Sequence, residues 1–283
     1  MSKLSPVSQA GEAEVVEAVI IAAGFGHRLA ALGPSKPLNR LCGLPLIEIA
    51  ARQLARAGVE RIVVVTGHMA DRLEAALPGI AQALGIVIEA VRVDSWSVPN
   101  GHSVMAGASA IGGNYLLVMS DHVFSDGILA ALMRCHDPRH AVTLAIDHRI
   151  NGPTIDPDDA TYVTTSDDGM IRRIAKHLPE PDAVDCGAFL ATPMLAEAIA
   201  AAIAMGRPGS LSDGMQWLAA QGLAATMDIG DRWWIDVDDP ASHRLAEQDL
   251  PIHLPHLVPA IAAALPRDDA PQSETLIRIA GGT

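Results

Sequence analysis

A short glycine-containing loop with two nearby cations is the first part of the sequence that could carry out chemistry. It reads AAGFGHRL over residues 22–29 and directly follows an apolar run. Gly24 and Gly26 would let backbone N–H groups turn toward an anion at close range. Arg28 can hold phosphate oxygens in a bidentate fork, and Lys36 adds a point charge. The combination predicts a triphosphate-binding loop, although the glycines alone would also fit an ordinary turn between a strand and a helix.

Strand-like and helix-like segments alternate around this loop up to about residue 150. Continuous apolar runs predict strands over residues 18–23, 61–66, 86–93, 115–120 and 141–147. Apolar residues at helical spacing predict helices over residues 45–57, 70–77, 79–84, 104–110 (with Ser103 as N-cap) and 126–136. This alternation is typical of an α/β fold with a doubly wound, mostly parallel, Rossmann-like sheet and helices on both faces. Ligands of such sheets bind beyond the carboxyl ends of the strands, so the glycine loop and Asp121 should face one crevice.

The pattern changes beyond residue 150. We predict a hairpin over residues 161–166 and 170–175, strands over 185–191 and 224–229, and helices over 194–205, 212–220 and 240–248. The chain is rich in proline from residue 251 onward. We therefore expect a flexible N-terminal segment over residues 1–16, one domain over 17–250 whose halves (17–150 and 151–250) share a sheet, and a Pro-rich C-terminal appendage over 251–283.

The composition of the 283-residue chain disfavours several kinds of partner. A net charge of −13 disfavours nucleic acid and anionic membranes, and an aromatic content of 3% disfavours a stacking platform for single strands. We expect no membrane insertion, because no apolar run reaches about 18 residues, and no secretory signal at the N-terminus. The widely spaced Cys42, Cys135 and Cys186 favour a reducing, cytoplasmic location. Small molecules remain as partners, and a homo-oligomer stays open.

The glycine loop and four further motifs resemble a known enzyme family. The loop and Lys36-Pro37 resemble the signature of the sugar-phosphate nucleotidyltransferases. The sequences LVMSDHV (117–123) and WWIDVD (233–238) are similar to the M-G-D-H-V and W-M-D-V-D motifs of CTP:inositol-1-phosphate cytidylyltransferases. An N-G-x-S sequence at 100–103 and a block at 172–189 follow in the family's order, so the resemblance covers about residues 17–250. It implies a nucleotide-binding half over 17–150 and an acceptor-binding half over 151–250.

The resemblance also implies a role for each matching residue. The catalytic cations would be Arg28 on the β- and γ-phosphates, Lys36 on the α/β region, and Lys176 on the acceptor's phosphate. The nucleotide-binding residues would be Ala22, Ala23, Gly24, Phe25, Gly26, Thr66, Asn100, Gly101 and Ser103. Asp185 and Gly187 would bind the acceptor together with Lys176, and Asp121 and Asp236 would hold a catalytic Mg²⁺ with Asp238 in support. Other interpretations stay open, because Asp121 would also fit a helix N-cap and Lys176 a solvated lysine at the end of a strand.

The implied reaction is transfer of CMP from CTP to a phosphorylated alcohol, most of all inositol 1-phosphate, which yields pyrophosphate and CDP-inositol, a phospholipid precursor. Alternatives are a cytidylyltransferase for phosphocholine or a phosphonate, a sugar-1-phosphate nucleotidyltransferase using UTP or GTP, and a non-catalytic nucleotide-binding regulator. A phosphate monoester is already mostly a dianion at neutral pH, since its second pKa is about 6. We therefore expect no general base and interpret His122 as a structural residue.

Overall fold

The computed structural model describes residues 16–257, which form thirteen strands and seven α-helices. The strands are β1 Glu17–Ile21, β2 Arg40–Leu41, β3 Leu44–Pro45, β4 Arg61–Thr66, β5 Val87–Arg92, β6 Tyr115–Met119, β7 His122–Phe124, β8 Val142–Asp147, β9 Tyr162–Thr165, β10 Ile171–Ala175, β11 Ala183–Ala191, β12 Ala224–Asp228 and β13 Trp234–Asp236. The helices are α1 Leu46–Ala57, α2 Ala70–Leu84, α3 Gly101–Ala108, α4 Ile128–Met133, α5 Met194–Ala204, α6 Leu211–Ala219 and α7 Pro240–His253. The predictions for the first 15 residues and for residues 258–283 lie outside the described residues.

A mixed sheet of nine strands forms the centre of the fold. Strands β5, β4, β1 and β6 lie side by side and are all parallel. Strand β11 lies antiparallel to β6 and continues the sheet toward β8 and β9, with β12 and β10 at the outer positions. The predicted α/β fold is therefore confirmed, and one sheet runs through both halves, although the second half adds mainly antiparallel pairs.

The central strands are buried on both faces of the sheet. Successive residues of β1 point to opposite faces, so Ile20 packs among α1, α2 and α4, and Val19 packs among α3, α5 and α6. Both side chains are fully buried. A continuous apolar run suits this arrangement because neither face of the strand meets water. Helices thus cover both faces, as the sequence predicts.

A small two-stranded sheet beside the main one carries part of the predicted metal site. Strands β7 and β13 pair antiparallel, with Asp236 opposite His122. Val123 and Ile235 from this small sheet pack in an apolar cluster with Leu250 of α7. Asp236 therefore reaches the end of β6 from a separate sheet and not from a neighbouring strand of the main sheet.

Helix α7 continues beyond its predicted end at residue 248 and includes Pro251. Proline removes one helical donor, and the carbonyl group of Glu247 accepts instead from Cys42 Sγ at 3.4 Å. Leu254 and Leu257 follow the helix and are buried in the same apolar cluster. The predicted helix end was wrong, because apolar packing continues across residue 250.

The start of α3 also differs from the prediction. The helix begins at Gly101, so Ser103 lies within it and is not its N-cap. The Asn100 side chain, at the cap position, accepts a hydrogen bond from the backbone N–H of Leu211 at 2.9 Å. A Cβ on Gly101 would lie 2.3 Å from the carbonyl oxygen of Gly209, so glycine lets the helix begin against this turn.

Two further helices differ in length from their predictions. Helix α2 is continuous through Pro78, since Leu73, Leu77 and Ile80 stay on its buried face. Helix α4 covers only residues 128–133. Within residues 16–257, no helix has the length and apolar character that crossing a bilayer requires.

Candidate active site

The glycine loop and Lys36 pack directly against each other at the carboxyl end of β1. Gly26 has φ +62°, and a Cβ at this position would lie 2.5 Å from Cβ of Lys36. Glycine alone suits both this backbone conformation and this contact. The stem of Lys36 therefore crosses the loop, and the side chain is only 9% exposed.

The two predicted phosphate-binding cations lie close together, each in contact with carboxylates. The ammonium group of Lys36 contacts Asp121 and Asp238. The guanidinium group of Arg28 contacts Asp238 and Asp159. A substrate phosphate carries more negative charge than a carboxylate and accepts hydrogen bonds from the same donors. The loop therefore offers a cationic cradle whose charge is balanced by acidic side chains.

His122 lies between the two predicted metal ligands. Its Nδ1 is 2.9 Å from Oδ1 of Asp121 and 3.7 Å from Oδ1 of Asp236. The imidazole stacks on Trp234, with 5.9 Å between ring centroids. Gly187 has φ +76°, and a Cβ there would lie 2.3 Å from Cδ2 of His122. Gly187 thus provides the space in which the imidazole sits between the carboxylates.

The electrostatics of this cluster reflect burial opposed by close ion pairing. Burial disfavours the charged form of Asp121, but Lys36 and His122 hold the pKa of Asp121 well below its usual value. Burial also disfavours the imidazolium, but the Asp236 and Asp121 carboxylates outweigh it and raise the pKa of His122 to about 9. Burial raises the pKa of Asp236, although the charge of His122 opposes this shift. The cluster therefore concentrates negative charge around a few cationic partners.

The acidic residues of the cluster could hold a divalent metal ion. Ligand atoms of Asp121, His122 and Asp236 lie within 4.8 Å of one another, as do those of Asp159, Asp236 and Asp238. Oδ1 of Asp236 is buried and has no hydrogen-bond partner among residues 16–257. Carboxylate oxygens are the ligands that hard cations such as Mg²⁺ prefer. The donor set at this position thus fits such an ion.

Two cavities, each of about 380 Å³, meet at this cluster. The first, which we call the donor cavity, is lined among others by Ala22, Ala23, Gly24, Gly26, Arg28, Lys36, Trp96, Ser103 and Asp121. The second, the acceptor cavity, is lined among others by Asp156, Lys176, Asp185, Gly187, Ser212 and Trp234. Both are lined by Asn100, Met119, His122, Asp159, Asp236 and Asp238. The fold thus brings most of the predicted site residues into one continuous cleft.

Three predicted nucleotide-binding residues lie outside the lining of the donor cavity. Phe25 is 46% exposed, and its ring packs edge-on against His68, with 4.6 Å between ring centroids. The hydroxyl group of Thr66 donates to Oε1 of Glu74 at 2.6 Å. Gly101 is buried at the start of α3. In the structure, Phe25 packs on His68, Thr66 is hydrogen-bonded to Glu74, and Gly101 lies against the turn at Gly209.

Trp96 and Asp159 also line the cleft, although neither was predicted from the sequence. Trp96 lies in the loop between β5 and α3, lines the donor cavity, and packs against His68 with 4.8 Å between ring centroids. Asp159 lies in the loop between β8 and β9 and lines both cavities. The only local signal for Trp96 is its position shortly before the N-G-x-S sequence. No local sequence pattern marks Asp159, because its ion-pair partners are distant in the chain.

The chain is similar to a known domain family and to several known proteins. Residues 18–157 match the family of MobA-like NTP transferase domains. A bifunctional IPC transferase and DIPP synthase of Rubrobacter xylanophilus is 33% identical over 237 residues, which cover 83% of this chain and 52% of that protein. The CMP-5'-(3-aminopropyl)phosphonate synthase of Streptomyces rubellomurinus is 31% identical over 255 residues, covering 83% of this chain and 39% of that protein. The chain thus spans about half, or less, of the length of these curated relatives.

Solved structures share the fold over most of the chain. The inositol-1-phosphate CTP transferase of T. maritima superposes with a TM-score of 0.73 at 22% identity, covering 84% of this chain and 97% of that one. A UDP-glucose pyrophosphorylase complexed with UDP-glucose superposes with a TM-score of 0.68 at 16% identity, covering 83% and 97%. The parallel strands, the glycine loop and the family match all lie in the same part of the chain. The chain therefore contains, over residues 18–157, a member of the family of MobA-like NTP transferase domains.

Proposed function

We propose that the chain is a Mg²⁺-dependent cytidylyltransferase that transfers CMP from CTP to inositol 1-phosphate and releases pyrophosphate and CDP-inositol. One observation carries the proposal. A cavity with a glycine loop and two cations meets a second cavity with its own lysine at a cluster of carboxylates. Such a cleft suits a reaction between two phosphate-bearing small molecules, which we expect to occur in the cytoplasm.

On the donor side, the proposal assigns the triphosphate to Arg28 and Lys36. The guanidinium group can hold two phosphate oxygens at once, and the ammonium group is fixed where its stem crosses Gly26. Asn100 and Ser103 line the same cavity and offer polar groups to the ribose or the base. The backbone of the glycine loop lies open to the phosphates, since a Cβ on Gly24 would meet no atom within 4 Å.

On the acceptor side, the proposal assigns the phosphate to Lys176 and the hydroxyl groups to Asp185. Oδ1 of Asp185 accepts a hydrogen bond from the backbone N–H of Gly187 at 2.7 Å, which orients the carboxyl group in the cavity wall. Burial raises the pKa of Asp185 to about 6, so it is still mostly a carboxylate at neutral pH. A carboxylate accepts hydrogen bonds from several hydroxyl groups, as a polyol acceptor would require.

The reaction needs alignment and charge neutralisation more than proton transfer. An oxygen of the acceptor's phosphate dianion forms a bond to the α-phosphorus of CTP while the bond from that phosphorus to the β-phosphate's bridging oxygen breaks. When held by Asp121 and Asp236, Mg²⁺ would neutralise charge on the phosphates. Arg28 and Lys36 would stabilise the departing pyrophosphate, and His122 would keep the two carboxylates apart at a set distance.

The names of the similar proteins support inositol 1-phosphate as the acceptor and suggest one alternative acceptor. The T. maritima protein is described as an inositol-1-phosphate CTP transferase. The Streptomyces protein is named a CMP-5'-(3-aminopropyl)phosphonate synthase, which makes a phosphonate the second acceptor to test.

Pyrophosphate release in the presence of Mg²⁺ tests the proposal. The four NTPs are crossed with inositol 1-phosphate, 3-aminopropylphosphonate, phosphocholine and glucose 1-phosphate, and Asp121→Asn serves as the inactive control. We expect turnover with CTP and inositol 1-phosphate. Turnover only with another acceptor, or only with another nucleotide, would refute the substrate assignment. Thermal stabilisation by a nucleotide without any turnover would favour the non-catalytic regulator.

A further inference from the structure

Asp159 joins two cations that belong to different cavities. Its Oδ2 accepts a hydrogen bond from Nη2 of Arg28, which lines the donor cavity. Its Oδ1 accepts from Nζ of Lys176, which lines the acceptor cavity. Nη1 of Arg28 also lies 3.6 Å from Oδ2 of Asp156 in the same loop. One carboxylate thus bridges the group expected to bind the donor and the group expected to bind the acceptor.

The loop that carries Asp159 is folded and held at its end. The backbone N–H groups of Asp159 and Ala160 donate to the carbonyl oxygen of Asp156, at 3.2 and 2.9 Å. The carbonyl oxygen of Thr161 accepts from the backbone N–H of Asp185 at 2.8 Å. Ala160 packs against the apolar cluster on one face of the sheet. These contacts hold the backbone at Asp159 in place. The bridge is therefore made or broken by rotation of the Asp159 side chain.

We propose that Asp159 couples the binding of the two substrates by holding the cation of each until the first phosphate arrives. This inference rests on the proposed function, since it takes Arg28 and Lys176 as the phosphate-binding groups. A triphosphate that reaches Arg28 repels the carboxylate, which carries charge of the same sign. Because both contacts depend on a single carboxylate, turning it away from Arg28 also releases Lys176. A triphosphate that arrives first therefore frees Lys176 for the acceptor's phosphate. When the acceptor arrives first, Arg28 loses one carboxylate partner and keeps its contacts with Asp238 and Asp156.

The coupling has a definite thermodynamic signature. A CTP analogue should tighten the binding of inositol 1-phosphate by at least about fivefold, at the lower end of known couplings, and the acceptor should tighten the analogue by the same factor. Asp159→Asn keeps the size of the side chain and removes its charge. Each ligand alone should then bind more tightly than to the wild type, and the coupling factor should fall to about one.

Calorimetric titration measures these quantities. Inositol 1-phosphate, and inorganic phosphate as a simpler probe, are titrated with Mg²⁺ present, with and without the α,β-methylene analogue of CTP, which cannot be turned over. Asp158→Asn is the matched control, because Asp158 lies in the same loop, is exposed, and has no ion pair within the described part of the chain. It should titrate as the wild type does. Thermal unfolding checks that all three proteins are folded.

Two outcomes would overturn the coupling. One is a wild-type coupling factor of one. The other is weaker binding of either ligand to Asp159→Asn, which would mean that the carboxylate supports the site instead of competing with the substrates. Pyrophosphate release by the wild type separates this inference from the proposed function, because a protein that turns over CTP and inositol 1-phosphate without coupling refutes the inference alone.

Discussion

Replacing Gly187 by alanine should damage the site far more than the fold. The backbone at this position has φ +76°, and the added Cβ would lie 2.3 Å from Cδ2 and 2.6 Å from Nε2 of His122. The backbone conformation alone costs an L-residue about 1–2 kcal/mol. To restore an ordinary contact the imidazole must also move by roughly 1 Å, since carbon atoms in contact are about 3.5 Å apart. His122 lies between Asp121 and Asp236, so both carboxylates lose their set separation.

The expected result is a modest loss of stability with a large loss of activity. A cost of about 1–2 kcal/mol lowers the Tm of a domain of this size by about 2–8 °C. A displacement of about 1 Å in a catalytic cluster lowers kcat/KM by about 100-fold. Thermal unfolding and pyrophosphate release measure the two effects. Gly206→Ala is the matched control, because Gly206 has φ +83° but a Cβ there would meet no atom within 4 Å. It should show a similar loss in Tm and normal turnover. Equal turnover by the two variants would refute the role of Gly187 in placing His122.

Three further changes test other parts of the structure. Asp121→Asn should lower kcat by about 100-fold or more and abolish thermal stabilisation by Mg²⁺ with CTP, and retained turnover would remove Asp121 from the metal site. Asp147 is buried, which opposes its ionisation, but hydrogen bonds from Arg149 and Trp234 lower the pKa of its carboxyl group. Since the folded-state pKa is depressed, the carboxylate stabilises the fold above the unfolded pKa of about 3.9, and this contribution is lost as the pH falls. Asp147→Asn should therefore lower the urea midpoint at neutral pH, with a smaller difference at about pH 3, and a difference independent of pH would contradict the ion pair. Leu250 is fully buried, so Leu250→Ala should lower the free energy of unfolding by about 2–5 kcal/mol, whereas a change below about 0.5 kcal/mol would show that α7 is not part of the domain's core.

Where sequence analysis succeeded, the signal was local and repeated. The apolar run around Ile20 predicts a strand because both faces of β1 are buried, and the structure confirms it. The helix predicted over residues 45–57 appears as α1, which ends where Gly58 takes a left-handed conformation. Periodicity of this kind depends on the backbone geometry of a single element and is therefore visible without knowledge of the rest of the fold.

Where sequence analysis failed, a partner elsewhere in the chain decided the outcome. The N-cap position of α3 is occupied by Asn100 and not by Ser103. The turn before α6 packs there, and the backbone N–H of Leu211 donates a hydrogen bond to the Asn100 side chain. Pro251 does not end α7, because the apolar packing continues through Leu254, and Cys42 supplies a donor to the carbonyl group that proline leaves without one. Such partners lie more than 100 residues away, and no local pattern records them.

The sequence by itself determined the α/β class, the glycine loop with its two cations, and the family resemblance, because each depends on residues close together in the chain. Only the tertiary structure decided that Asp236 faces His122 from a separate small sheet, that Gly187 makes room for the imidazole, and that Asp159 bridges the two cavities. Arg28 and Asp159 are 131 residues apart in sequence, and the energy of an ion pair depends on distance in space. The two side chains come within ion-pairing distance only when the folded sheet has brought its strand ends together.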